Sequence, residues 1–139
     1  MEKTRKRFLA MITAFMMLFT LVVILPEGAI KASADEVSVS TAAELKNALS
    51  DTSNRNKELK MTKDITVSES VDVSFNVALN MVGHKLTFED GYLNVEMSSG
   101  SEVFTIIGGT LKGNHPGGIV YLKNGYIYFE SGVIENTYS

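Results

Sequence analysis

Val103-Phe-Thr-Ile-Ile-Gly-Gly-Thr-Leu-Lys-Gly113 and Tyr126-Ile-Tyr-Phe-Glu-Ser-Gly-Val-Ile-Glu-Asn136 are two copies of one pattern. Gly109 answers to Gly132, Leu111 to Ile134 and Gly113 to Asn136, each pair 23 residues apart. A looser copy lies upstream, where Val77-Ala-Leu-Asn-Met-Val-Gly83 is followed by Leu86, and its glycine stands 26 residues before Gly109. Repeats of this length built only from strand and turn signals predict a chain that coils and stacks on itself. Gly83, Gly109 and Gly132 are expected at one recurring corner, where the backbone turns tightly with no side chain in the way. Leu111 and Ile134 are expected to point inward and stack on each other, with Leu86 in the same place one coil earlier. Coils spaced about 4.8 Å apart make a rod of roughly 15–20 Å from three to four turns.

Outward from this stretch the same signals continue. From Leu59 the apolar residues alternate: Leu59 and Met61, Ile65 and Val67, Val71 and Val73, then Val77, Leu79 and Met81. Leu86 with Phe88, and Leu93 with Val95 and Met97, extend the series. The breaks fall in polar or Gly-containing clusters such as Ser68-Glu-Ser70, Glu89-Asp-Gly91 and Ser98-Ser-Gly-Ser101. Only Asp90-Gly91 and Asn124-Gly125 would suit two-residue hairpin turns, which disfavours a stack of hairpins. Ahead of the strands, Thr41-Ala-Ala-Glu44 forms a capping box, and Ala42, Leu45, Ala48 and Leu49 recur at helical spacing. This predicts a helix from about Ala42 to Leu49 that covers the first open end of the stack.

The chain begins differently. Lys3, Arg5, Lys6 and Arg7 precede an apolar run from Phe8 to Leu25, broken only by Thr13 and Thr20. Pro26, Gly28 and then Ala32-Ser33-Ala34 complete the three-part pattern of a secretory signal peptide cleaved after Ala34. An uncleaved membrane anchor is the competing reading, because 18 apolar residues reach the lower limit for spanning a bilayer. Three segments follow: signal peptide 1–34, lead-in strand and capping helix 35–58, and parallel β-helix coils 59–139. Residues 35–139 carry 8 Lys and Arg against 14 Asp and Glu, a net charge near −6. That balance excludes nucleic acid and anionic lipid as expected partners. The absence of cysteine removes disulfides, acylated starts and thiolate zinc sites, so stability has to come from the ladder itself.

Gly108-Gly-Thr-Leu-Lys-Gly-Asn114, followed by Gly117-Gly-Ile-Val-Tyr121 and Gly132-Val-Ile-Glu-Asn136, resembles secreted bacterial right-handed parallel β-helix proteins of the pectate-lyase-like superfamily. The segment with Lys63-Asp64-Ile65 and the segment Leu79 to His84 are similar to the entry into that fold, so the resemblance covers roughly Val37 to Asn136. It implies an all-β, right-handed parallel β-helix of about three to four coils with an N-terminal capping α-helix, preceded by a signal peptide. It implies no single activity, since the superfamily holds lyases, hydrolases, adhesins and modules without a known reaction. The chain departs from the pattern at Ser139, where it stops in mid-repeat and reads as the N-terminal portion of something longer.

Polysaccharide lyases of that superfamily hold calcium on acidic clusters and use Arg or Lys as base. Here Glu89-Asp90, Glu69 with Asp72, and Asp35-Glu36 fall short of the six to eight oxygens that calcium needs. Arg55, the only arginine after the leader, reads as a surface residue. Glu130 and Glu135 cannot be placed face to face, as glycosidase chemistry requires. His84 and His115 stand 31 residues apart with no adjacent carboxylate. No catalytic residue, metal site or cofactor is therefore assigned. Binding is favoured: with Ile127 and Phe129 inward, Tyr126 and Tyr128 face out, and Tyr121 does so if Val120 and Leu122 are internal. Tyr121, Tyr126 and Tyr128 are the expected ligand-binding strip, suited to sugar rings. The expectation is an exported extracellular or cell-surface module of a Gram-positive bacterium, with an adhesin-like binding or scaffold role toward polysaccharide, cell wall or host surface. Once the leader is cleaved, no membrane partner is expected. The alternative is the N-terminal fragment of a polysaccharide lyase or glycoside hydrolase whose active site lies beyond residue 139.

Overall fold

The computed structural model describes residues 35–138. The expected signal peptide lies outside the described residues. The order of elements is β1 (Glu36–Val39), α1 (Ala42–Ser50), a 3-10 turn (Thr52–Asn54), β2 (Glu58–Met61), β3 (Ile65–Val67), β4 (Val71–Val73), β5 (Val77–Asn80) and β6 (Lys85–Phe88). Then come β7 (Leu93–Glu96), β8 (Val103–Ile107), β9 (Thr110–Gly113), β10 (Val120–Asn124), β11 (Tyr126–Phe129) and β12 (Val133–Asn136). Every strand pair is parallel, and every third strand along the chain joins the same sheet. The first sheet runs β1-β2-β5-β8-β11, the second β3-β6-β9-β12 and the third β4-β7-β10. The protein is thus mostly β, with three parallel sheets around one core, the arrangement of a solenoid.

Alternation puts one residue in two into that core. Val37, Leu59, Leu79, Ile106 and Phe129 follow one another in register across the first sheet. Ile65, Leu86, Leu111 and Ile134 do so across the second. Val71 and Leu93 continue into Val120 across the third. Phe75, Phe88 and Phe104 are fully buried and fill the widest parts of the interior. Helix α1 packs against β1, β3 and β4 through buried Leu45, Ala48 and Leu49. The Thr41 side chain accepts from the Glu44 amide, and the Glu44 carboxylate accepts from the Ser40 amide at 2.7 Å.

The corner between the first and second sheets corrects the glycine alignment. Gly132 does lie over Gly109, as the 23-residue spacing requires. Gly109, however, lies over His84 rather than Gly83: a Cβ built on it would come within 2.4 Å of the His84 carbonyl oxygen. The earlier coil spends four residues on this corner, Met81 to His84, with Val82 (φ 50°) and Gly83 (φ 80°) both left-handed. The later coil spends two, Gly108 and Gly109. The alignment of Leu86 with Leu111 is unaffected, because the surplus lies wholly in the turn.

Candidate functional site

With the interior filled by aliphatic and phenylalanine side chains, the chemistry of this molecule lies on its outer faces. On the first sheet, Glu58, Ala78, Thr105 and Tyr128 form one outward column, each opposite the next across a strand pair. Tyr126 stands beside Val103 in the neighbouring column. Ala78 and Thr105 are short, so the column dips between the Glu58 carboxylate and the Tyr128 ring. The dip is an open groove of about 280 Å³, lined by Asn56, Lys57, Asn76, Ala78, Val103 and Thr105 among others. Its size is at the lower end of small-ligand sites. Asn76 Oδ1 accepts from the Val103 amide at 2.5 Å and so ties two coils together at the groove's edge. The Asn56 amide, in a left-handed turn (φ 63°), donates to the Asn76 carbonyl at 2.7 Å and brings the two side-chain amides to the same end.

Tyr126 and Tyr128 are 61% and 58% exposed, and they lie next to this groove on a single strand. Tyr121 is also exposed, but the structure does not bring it into one strip with them. It sits on β10 in the third sheet, and the turn at Gly125 (φ 91°) separates that sheet from the first. Its ring instead packs 5.6 Å from Tyr92, which in turn lies 5.3 Å from His115. Below Tyr121 in the same column come Asn94 and Asp72, joined by a 2.7 Å hydrogen bond from Asn94 Nδ2 to Asp72 Oδ1. Asn94 Oδ1 is buried and unpartnered among the described residues. The spacing of the rings means that they touch each other and leave no slot between them. A second groove, of about 370 Å³, runs between α1 and the β3–β4 turn. A 2.5 Å ion pair between Lys46 and Glu69 spans it, and no aromatic side chain lines it.

The titratable groups form ties between coils. His84, read from sequence as lacking a carboxylate, has Asp64 at 3.3 Å, supplied by the preceding coil 20 residues away. The Lys85 amide also donates to Asp64 and is the main reason that this carboxyl titrates below its ordinary range, with His84 adding to the effect. Arg55, expected at the surface, is half-covered: it pairs with Glu102 two coils on, and its guanidinium carbon lies 5.8 Å from the Phe75 ring centre. Glu102 is one of two buried polar residues, and its second oxygen accepts from the Ser99 amide at 2.9 Å. The Arg55 hydrogen bond, more than any other contact, holds its pKa below the ordinary carboxylate value. Glu89 and Asp90 are exposed in a turn, and Glu130 and Glu135 are exposed in the last coil. Among the described residues, no three His, Cys, Asp or Glu side chains gather as a metal site would need.

Sequence reasoning missed Asn56, Asn76 and Thr105 because their importance comes from residues one coil away. Tyr92 was open to discovery, since it precedes Leu93 and Val95 with outward parity. No protein-family model matches the chain, and no curated protein or solved structure shows significant similarity to it.

Proposed function

We propose that the chain is an exported extracellular or cell-surface module, a right-handed β-helix of the pectate-lyase-like type, that binds glycan on the outer face of its first sheet. The observation that carries this reading is the groove over Ala78 and Thr105 with Tyr126 and Tyr128 beside it. Exposed phenol rings on a rigid sheet offer flat apolar area to the C–H face of a sugar, while their hydroxyls stay in water. Side-chain amides and the Thr105 hydroxyl supply the few placed polar groups that fix orientation. The leader pattern at residues 1–34 and the acidic balance of the remainder fit a protein that works outside the cell and away from polyanions. The test is retention of the purified protein on a glycan array and on insoluble polysaccharides. Saturable binding to a defined group of glycans, weakened by Tyr126→Ala and Tyr128→Ala, supports the proposal. Absence of binding to every glycan overturns it.

A further inference from the structure

We infer that this groove selects sugars bearing an acetamido group, that is, glycans containing N-acetylhexosamine. The inference rests on the glycan-binding reading above and adds the chemical class of the ligand. An acetamido substituent has three parts: a methyl, a carbonyl acceptor and an N–H donor. The groove offers a counterpart to each. The Ala78 methyl and the Val103 side chain give it an apolar floor. The Asn56 and Asn76 side-chain amides stand together at one end, where their backbones are hydrogen-bonded. Asn76 has its oxygen occupied by the Val103 amide, which leaves Nδ2 as a donor for the acetamido carbonyl. Asn56 Oδ1 makes no hydrogen bond among the described residues and is available to the acetamido N–H.

The pyranose ring attached to that group then reaches Tyr128 and Tyr126, which neighbour Thr105 and Val103 across one strand spacing of about 4.8 Å. Competing sugars fit less well. A free amino sugar brings an ammonium group toward Lys57, the one charged residue of the lining. A plain hexose puts a hydroxyl over the apolar floor and leaves both amides unanswered. An unanswered buried polar group is costly, which is how hydrogen-bonding sites reject analogues. A polyuronate meets the Glu58 carboxylate next in the column and a chain of net charge near −6 over residues 35–139.

The experiment is titration calorimetry of the protein with three matched probes: N,N′,N″-triacetylchitotriose, its deacetylated counterpart, and cellotriose. Each is repeated on Ala78→Leu, which fills the groove from an outward position, and on Thr105→Val. Thermal melts of both variants confirm that the fold is retained. Binding of the acetylated trimer at least about tenfold tighter than the other two, lost in Ala78→Leu, is the expected result. Equal binding of all three, or binding that Ala78→Leu leaves intact, overturns the acetamido inference while the glycan-binding reading stands. No binding of any glycan, here and on the array, removes both.

Discussion

Leu111 and Ile134 occupy the same place in the repeat, in register on adjacent strands of the second sheet, yet Leu111 is 1% exposed and Ile134 is 51% exposed. The first sheet repeats the contrast, with Ile106 fully buried and Phe129, its neighbour in the ladder, only partly so. Residue type, strand position and inward parity are alike in each pair. What differs is whether a further layer of described side chains lies above. Burial in a solenoid therefore belongs to the stack more than to the residue, and the energy of each ladder position depends on its neighbours.

That contrast can be broken most severely at a phenylalanine. Phe104→Ala empties a fully buried site between coils and should cost about 3–5 kcal/mol in chemical denaturation, while Ile134→Ala should cost less than about 1 kcal/mol. Similar costs at both sites would show that the last strands are as well packed as the middle ones. Next comes the corner. Gly109→Ala combines a left-handed backbone (φ 71°) with a Cβ 2.4 Å from the His84 oxygen, so strain and overpacking add to about 2–4 kcal/mol. Gly83→Ala has a similar φ of 80° but open space around it, and should lose only about 1 kcal/mol. If the two cost the same in urea, the register that sets Gly109 over His84 is wrong.

Acid sharpens the comparison by loosening the ties between coils. Glu102 and Asp64 both titrate below their ordinary values of 4.5 and 3.8 in the folded protein, Glu102 chiefly because of Arg55 and Asp64 chiefly because of the Lys85 amide. A depressed carboxyl contributes stability that is complete above its unfolded value and disappears as pH falls through the folded one. Melting temperature should accordingly drop as pH is lowered below about 4.5, with a shallower drop in Arg55→Met. An acid slope unchanged in that variant would show that the Arg55–Glu102 pair contributes nothing. The smallest effect on stability is expected at the rings: Tyr126→Ala and Tyr128→Ala should stay within about 0.5 kcal/mol of the parent in thermal melts, while glycan retention falls.

Which parts were legible follows from how far each signal reaches along the chain. The 23-residue repeat placed Leu111 under Ile134 correctly because both sit the same short distance after their glycines. The alignment of Gly83 with Gly109 failed because a corner absorbs two extra residues without disturbing the strands on either side. Outward parity located Tyr126 and Tyr128, since alternation inside one strand is a local property. It did not show that Tyr121 turns away onto another sheet, because that depends on the bend at Gly125. The groove was hidden for the same reason: Asn56, Asn76 and Thr105 are distant in sequence and meet only through stacking.

The central claim is that the first sheet, with its groove, is the binding face, and that the third sheet with Tyr92, His115 and Tyr121 is not. Amide chemical-shift mapping during titration with N,N′,N″-triacetylchitotriose tests this most directly. The account predicts saturable shifts concentrated at Asn56, Asn76, Ala78, Thr105 and Tyr128, with β4, β7 and β10 quiet. Shifts centred on Asn94 and Tyr121, with the first sheet unmoved, would contradict it.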